Sequence, residues 1–333
     1  MKIKLGEALR YEQPTKYIVA SEKYNDSYAT PVLTAGKSFI LGYTNEESGI
    51  YDNLPVIIFD DFTTDIKYVD FPFKVKSSAM KMLQPANENY NLKFFYYLIK
   101  YMNFQPTSHQ RHWISKFAEM EFDIPERVKQ DQIVEKLDKL VEMQSKKTTQ
   151  LKKYDDLVKS QFIEMFKDCT ETTLCKISKI TMGQSPSSSS YNDDGKGIAF
   201  FQGKADFGDK YTIVKHFTTE PTKLAEKDDV LISVRAPVGP VNIASQKCCI
   251  GRGLASIRGF ENNSTTEFLY YMLKSKESEI AQRGTGSTFK AINRDTLYNL
   301  VVPKACIELQ NQFADFVKHI DKLKYNDVLM EVA

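Results

Sequence analysis

The chain has 333 residues, 42% of them hydrophobic and 26% charged, and its formal net charge is only +2. This composition predicts a folded chain of one to three domains and excludes a basic tail, so any nucleic-acid surface must be a local patch. No apolar run approaches the roughly 18 residues that a membrane-spanning helix needs, and the N-terminal MKIKLGEALRYEQ lacks the apolar segment of a signal peptide. We therefore expect a cytoplasmic protein without a membrane partner.

The cysteine pattern also predicts a location in the reducing cytoplasm. They form no CxxC pair and have no neighbouring histidine, which predicts reduced, structural thiols and no zinc site. The five residues are Cys169, Cys175, Cys248, Cys249 and Cys306.

The first part of the chain alternates short strand-like runs with turns. Residues 55–59 (PVIIF) form a compact apolar run, Asp60 and Asp61 follow as a turn, and residues 71–75 resume extended character. Residues 87–102 are predicted to form a helix that carries the aromatic segment FFYYLIK. This pattern predicts a mixed α+β unit with mostly antiparallel strands.

A long helix is predicted over residues 126–166, which contain no Pro and no Gly. At 1.5 Å per residue, a helix of about 40 residues is ~60 Å long. Apolar residues recur at alternating steps of three and four, as in a coiled-coil seam, and one seam needs a partner helix. A second stretch, residues 302–323, supplies one. The predicted seam residues are Ile133, Leu137, Leu140, Leu151, Tyr154 and Val158, with Phe313, Val317 and Ile320 in the second stretch.

The region between the two helical stretches repeats the character of the first unit. Strands are predicted at residues 213–214, 230–235 and 241–244, and a helix at 267–274. Serine-rich and Asn-Asp-Asp-Gly loop composition fills residues 185–195.

Four pairs of similar segments in the same order indicate an internal duplication. Their offsets are 172, 174, 178 and 180 positions, a drift that small insertions explain. The pairs are residues 4–14 and 176–186, 94–100 and 268–274, 113–125 and 291–303, and 130–133 and 310–313. The predicted domains are a globular unit at 1–123, a spacer helix at 124–168, a second globular unit at 169–301 and a shorter helix at 302–333.

With these segments the chain resembles the specificity (S) subunits of type I restriction–modification systems. Gly183 to Pro186 followed by residues 198–203 is similar to the start of a recognition domain in that family. Residues 233–239 and 284–293 are similar to its mid-domain turn and exit loop. Two Pro-to-Gln segments, Pro125 to Gln130 or Gln132 and Pro303 to Gln310, resemble the starts of its conserved helices.

The resemblance implies a non-catalytic DNA reader with two target-recognition domains, separated by antiparallel coiled-coil helices with pseudo-twofold symmetry. Each domain would read one half of a split target in double-stranded DNA, and helix length would set the gap. Two modification (methyltransferase) subunits and motor-nuclease restriction subunits would dock on this chain. S-adenosylmethionine, ATP and Mg²⁺ are expected on those partners, with no cofactor bound here. The second helix, at about 27 residues, is short for the family.

Motifs for independent catalysis are absent from the sequence. There is no GxxxxGK[ST] loop, no Asn-Pro-Pro-Tyr-like run, no FxGxG-like S-adenosylmethionine loop and no HExxH metal site. Asp61, Asp65 and Lys67 have the spacing D-x-x-x-D-x-K, which leaves a metal-dependent nuclease as one alternative and an ordinary solvated turn as the other. A coiled-coil scaffold with two domains that do not bind DNA is a further alternative.

DNA recognition needs phosphate contacts for register and base-edge contacts for sequence. In the first unit the candidates are a polar loop before Trp113 and a basic strand. The alternative for the loop is a packing cluster at the start of the helix, and the alternative for the strand is an ordinary charged face exposed to solvent. The second-unit candidates lie in a glycine-rich loop, after a strand, and beside Ala236-Pro237. The predicted DNA-binding residues are Gln110, Arg111, His112, Lys74, Lys76 and Lys81 in the first unit, and Gln202, Lys204, Arg235, Arg283, Ser287, Thr288 and Lys290 in the second.

Overall fold

The computed structural model describes residues 2–34, 38–102, 104, 106, 111–285 and 290–329. The chain folds into two compact units, one ending at Lys146 and the other beginning at Lys147. This division falls inside the long helix α3 (Arg127–Phe166), whose first half belongs to unit 1 and whose second half belongs to unit 2. The boundaries predicted at residues 123, 168 and 301 remain predictions.

Unit 1 is built on two small sheets. A four-stranded antiparallel sheet has the order β2-β8-β5-β6, and a second sheet has the order β4-β3-β7 with β3 and β7 parallel. The first and last strands, β1 and β9, pair with each other. The strands are β1 (Lys2–Lys4), β2 (Leu9–Glu12), β3 (Thr30–Leu33), β4 (Ile40–Thr44), β5 (Val56–Asp60), β6 (Ile66–Val69), β7 (Lys74–Val75), β8 (Met80–Pro85) and β9 (Glu121–Asp123), with the short helix α1 at Leu5–Ala8.

Helix α2 (Leu92–Tyr101) closes the core of unit 1. It begins later than predicted because the side chain of Asn91 caps it, accepting hydrogen bonds from the backbone N–H groups of Lys93 and Phe94 at 2.9 and 3.1 Å. The aromatic face FFYYLIK packs inward, with Phe95 fully buried against the sheet. Burial within the unit therefore explains this segment.

Unit 2 repeats this plan. Its four-stranded antiparallel sheet has the order β11-β19-β16-β17, and its other sheet, β12-β14-β13-β18-β15, again contains a parallel pair, β13 and β18. The strands are β10 (Glu171–Thr173), β11 (Ser178–Met182), β12 (Tyr191–Asn192), β13 (Ile198–Phe201), β14 (His216–Thr218), β15 (Leu224–Ala225), β16 (Val230–Ser233), β17 (Val241–Ile243), β18 (Cys248–Ile250), β19 (Leu254–Gly259) and β20 (Val301–Pro303). The helices are α4 (Leu174–Ile177), α5 (Thr266–Ser275), α6 (Glu277–Gln282), α7 (Arg294–Tyr298) and α8 (Ile307–Leu329).

Two sequence-based assignments in unit 2 were wrong. Residues 213–214 are not a strand; the strand there is β14, which begins at His216. Pro303 does not open the last helix, because it lies in β20 and pairs with Glu171, and α8 begins four residues later. The predicted mixed α+β class with two globular units and a long helix is confirmed.

Equivalent backbone hydrogen bonds define the internal repeat residue by residue. Leu5 donates to the carbonyl of Met120 in unit 1, and Leu174 donates to that of Leu300 in unit 2, both at 2.9 Å. The predicted offsets of 174 for the α2 and α5 segments and 180 for the last segment are confirmed. The offsets of 172 and 178 were wrong, since the structure aligns those segments at 169 and 180.

The second half of α3 and α8 run antiparallel within unit 2. Phe166 packs on Phe313 with ring centroids 5.7 Å apart, whereas Tyr154, earlier in α3, donates a hydrogen bond to Asp327 near the end of α8 at 3.0 Å. Most of the predicted seam is buried or partly buried on its own unit, and the residues that pack in this way are Ile133, Leu137, Tyr154, Val158, Phe313, Val317 and Ile320. Leu151 is also partly buried.

Leu140 departs from the predicted seam. Its side chain is 60% exposed, next to exposed Val141 and Met143. The heptad pattern in the sequence therefore includes Leu140, although the described residues do not cover its side chain.

Candidate DNA interface

A polar cleft of about 250 Å³ opens at one end of the two sheets of unit 2. Three turns meet there because β13, β16 and the parallel partner β18 all end on this side. The lining residues are Ser185, Gln202, Gly203, Lys204, Ser233, Arg235, Ala236, Arg252 and Gly253. Three residues predicted from two separate segments of the sequence, Gln202 and Lys204 in one and Arg235 in the other, are thus brought into one site.

Backbone hydrogen bonds hold the rim of this cleft. The buried carboxylate of Asp206 accepts from the N–H groups of Gln202 and Gly203 at 2.6 and 3.3 Å. The N–H of Arg252 donates to the hydroxyl of Ser185 at 3.2 Å, and Gly253 accepts from the N–H of Val234 at 2.9 Å. The rim is therefore fixed before any ligand arrives, which favours specific binding.

The turn that carries Arg252 leaves little room for other side chains. A Cβ at Gly253 would lie 2.2 Å from the carbonyl oxygen of Gln202, and a Cβ at Gly251 would lie 3.3 Å from the Gln202 α-carbon. The approach of the Gln202 backbone therefore excludes a side chain at position 253 and leaves only tight space for one at position 251. Arg252 is consequently the residue that this turn presents to the cleft.

The cleft has a strong positive charge. Lys204, Arg235 and Arg252 are exposed, and no carboxylate of the described residues lies within ion-pair distance of them. Arginine donates in a fork that fits phosphate oxygens or the O6 and N7 atoms of guanine, and Gln202 can pair with adenine. The arrangement can therefore both neutralise phosphates and read base edges.

Lys290 extends this surface. The following residue, Ala291, forms an antiparallel bridge with Arg235, and Ile292 donates to the carbonyl of Val234 at 3.0 Å. The exposed Lys290 is therefore held beside Arg235. Arg283 differs because its guanidinium is ion-paired with Glu279 at 2.6 Å.

Three predicted residues, Gln110, Ser287 and Thr288, lie outside the described residues. The cleft residues with polar side chains that the sequence-based prediction missed are Ser185, Ser233 and Arg252. The sequence Gly-Arg-Gly at 251–253 could have indicated Arg252, because a basic residue between two glycines is typical of a tight turn that presents a side chain.

In unit 1, three of the predicted DNA contacts do not fit the structure. His112, Lys74 and Lys81 are 0%, 3% and 0% exposed. The ammonium of Lys74 is bonded to the Glu46 carboxylate at 2.8 Å and to the carbonyl of Ser48 at 2.6 Å. Because these three side chains are buried in the interior of unit 1, they are not accessible to DNA.

Two predicted residues of unit 1 remain accessible. Arg111 is exposed, and Lys76 is partly exposed and ion-paired with Glu22 at 2.5 Å. The hydrogen bond from the Lys76 N–H to Leu33 corresponds to that from Gly251 to Phe201 in unit 2. Ser77 and Ser78 therefore occupy the turn where unit 2 has Arg252.

The acidic residues considered for a nuclease site have structural roles. Asp61 is 1% exposed, lies 3.2 Å from the Lys81 ammonium and accepts a hydrogen bond from the Trp113 backbone N–H at 2.9 Å. Asp65 bonds to Thr63 in a turn. Across the described parts of the chain, no three His, Cys, Asp or Glu side chains cluster in a way that could hold a metal ion. The nuclease alternative therefore has no support.

Burial shields two of the five cysteines from solvent. All five are free thiols, and Cys248 and Cys249 are fully buried in β18. Burial raises the pKa of the Cys248 thiol to about 12, so it stays protonated near neutral pH. Among the described helices, none combines the length and apolar character that a membrane crossing requires.

The duplicated α+β fold and the cationic cleft define a nucleic-acid recognition protein. Comparison with known proteins gives its family. A family model described as "Type I restriction modification DNA specificity domain" matches residues 167–327. The Escherichia coli EcoR124I/EcoR124II type I restriction enzyme specificity subunit is 33% identical over 96% of this chain and 86% of its own length. A putative MjaX specificity subunit of Methanocaldococcus jannaschii is 46% identical over 44% of this chain and 35% of its own length.

Solved structures agree with this relationship. One, from work on complex assembly and conformational transition of the type I R-M system, has a TM-score of 0.61 at 25% identity and covers 99% of this chain and 95% of its own. The type I restriction-modification S subunit from M. genitalium, at 17% identity and a TM-score of 0.63 over 99% of this chain and 91% of its own, shows the same fold. The chain belongs to the specificity subunits of type I restriction enzymes, which recognise DNA targets and are not catalytic by themselves.

Proposed function

We propose that each unit of this chain reads one half of a bipartite target in double-stranded DNA. The observation that carries the proposal is the cleft of unit 2, where Lys204, Arg235 and Arg252 converge on a fixed backbone rim beside Gln202. Unit 1 has the same sheet plan with different side chains at the corresponding turns, so the two half-sites should differ in sequence.

The helices would separate the two recognition domains, for which we keep the boundaries 1–123 and 169–301, with spacers at 124–168 and 302–333. Two modification subunits and the motor-nuclease subunits would dock on this scaffold in the cytoplasm. S-adenosylmethionine, ATP and Mg²⁺ would be bound by those partners. The family relationship supports this assembly, and the E. coli relative is named as a subunit of a restriction enzyme.

The first test is a genome-wide map of methylated adenine in cells that express this chain with its modification subunits. A split motif with two defined halves and a fixed gap is the expected result. A stable complex that produces no new methylated motif would refute the proposal.

The second test separates the cleft from the rest of unit 2. Arg252→Ala should weaken binding to the mapped target by about tenfold, because one good base or phosphate contact contributes about 1–3 kcal/mol. Lys247→Ala is the matched control, since Lys247 precedes the opposite end of β18 and pairs with Glu226 at 3.0 Å. Equal affinity of both variants would remove the cleft from the DNA interface.

A further inference from the structure

Two buried glutamines occupy the same place in the two units. Gln130 is the fourth residue of α3 and Gln310 is the fourth residue of α8, and they are 1% and 0% exposed. A buried side-chain amide must find several hydrogen-bond partners, because an unsatisfied polar group in the interior costs about 1–3 kcal/mol.

Both amides make the same three hydrogen bonds. In unit 1, Gln130 accepts from the N–H of Asn91 at 2.8 Å and donates to the carbonyls of Asn89 and Pro125 at 3.1 and 2.8 Å. In unit 2, Gln310 accepts from the N–H of Thr265 at 2.8 Å and donates to the carbonyls of Asn263 and Ala305 at 2.8 and 2.9 Å.

Each triplet joins three parts of its unit. Asn91 and Thr265 are the N-cap residues of α2 and α5, the helices that pack on the sheets. Pro125 and Ala305 lie in the segments that lead from the sheets into the long helices. Each glutamine thus ties the first turn of a spacer helix to the recognition domain before it, at one point inside the protein.

We propose that Gln130 and Gln310 are positioning residues that fix the angle between each recognition domain and its helix, and thereby the gap between the two half-sites. This inference rests on the proposed bipartite function. A rotation of about 3° at one end of a ~60 Å helix displaces the other end by about 3 Å. That displacement is close to the roughly 3.4 Å rise of one base pair. A small angular freedom of the helix would therefore let the protein accept gaps that differ by one base pair.

Other contacts also support both helices. In unit 1, Asp138 of α3 accepts hydrogen bonds from Lys93 and Tyr97 of α2 at 2.7 and 2.5 Å. In unit 2, α8 is held by the buried side chain of Phe313 and by an ion pair between Asp321 and Lys210 at 3.1 Å. Because α3 is the ~60 Å helix that runs from one unit into the other, a change at Gln130 should have the larger effect on the gap.

The test uses the full chain in complex with its modification subunits. Methylation rates are measured on duplexes that carry the mapped target with the gap shortened, unchanged or lengthened by one base pair. For Gln130→Met, the rate on altered gaps relative to the correct gap should rise about tenfold, while base preference within each half-site stays unchanged. Gln130→Glu, which keeps the size and one acceptor but lacks the amide donors, should change the profile in the same direction.

The matched control is Gln84→Met. The Gln84 amide also donates to two backbone carbonyls, those of Asn53 and Pro55 at 2.7 and 2.9 Å, and these bonds tie loops within unit 1 instead of a spacer helix. This variant should keep the wild-type gap profile even where it lowers thermal stability.

A wild-type gap profile in both Gln130 variants would overturn the inference. So would a uniform loss of rate on all three gaps together with a lower Tm, since that result describes a structural role alone. A wild-type complex that methylates no split motif would overturn the proposed function, and this inference with it.

Discussion

Replacing Lys81 by methionine should leave a buried carboxylate without its counter-charge. Lys81 and Asp61 are 0% and 1% exposed, and the ammonium lies 3.2 Å from the carboxylate. Methionine retains most of the aliphatic volume, so the main change is the loss of one charge. Removing one partner of a buried ion pair costs about 3–5 kcal/mol of folding free energy.

A paired variant separates the charge from the packing. In Lys81→Met with Asp61→Asn, both charges are gone and the asparagine oxygen still accepts the hydrogen bond of the Trp113 N–H. Most of the lost stability should return. Unit 2 is a natural precedent, because Val234 and Ala255 occupy the equivalent positions without any ion pair.

The single tryptophan provides the assay. Trp113 is 1% exposed, packs on Phe59 with ring centroids 5.2 Å apart and bonds directly to Asp61, so its fluorescence during urea unfolding reports on unit 1. Lys76→Met is the control, since its ion pair with Glu22 is largely exposed and should contribute at most about 1 kcal/mol.

Two results would refute this reasoning. One is a loss in Lys81→Met no larger than that in Lys76→Met. The other is a double variant as unstable as the single variant, which would show that packing of the lysine stem, and not the unpaired charge, carries the effect.

Two further predictions concern stability. Phe313→Ala should destabilise unit 2 by about 3–5 kcal/mol because the ring is fully buried. Leu140→Ala should change the unfolding free energy by less than about 0.5 kcal/mol because this position is 60% exposed. Thermal unfolding of both variants checks this contrast. Lys74 lowers the pKa of Glu46 below its ordinary value of 4.5 by hydrogen bonding to the carboxylate. The stability advantage of wild type over Glu46→Gln should therefore be complete above pH 4.5 and be lost as the pH falls from 4.5 through the lowered pKa of the folded state. Tryptophan-detected urea unfolding across this range measures the difference, and a constant difference would contradict the assignment.

Periodic features of the chain could be predicted from its sequence. Helix α3 lies within one residue of its predicted start because a run without Pro or Gly and with regular apolar spacing leaves few other structures. The α2 and α5 repeat was visible because Phe94 and Phe268 begin matching aromatic segments. In both cases the signal depends only on neighbouring residues.

The candidate site depended on contacts between distant residues. Lys81 has the pattern of a solvent-facing strand residue, and only folding brings it to Asp61, 20 positions away in the sequence. Leu140 fits the heptad pattern, but whether its side chain is buried depends on whether a partner helix extends that far. Arg252 was missed because its importance comes from the meeting of three turns, and single-sequence patterns contain no information about that meeting.

The Gly251–Arg252–Gly253 turn has a consequence for how recognition could diversify. The Gln202 carbonyl excludes a side chain at Gly253, and the Gln202 backbone leaves tight space for one at Gly251, whereas position 252 faces an open cleft. A scaffold that restricts change to one residue lets new side chains be sampled without refolding the domain. A library randomised at position 252 alone is therefore the smallest search for altered specificity in this subunit.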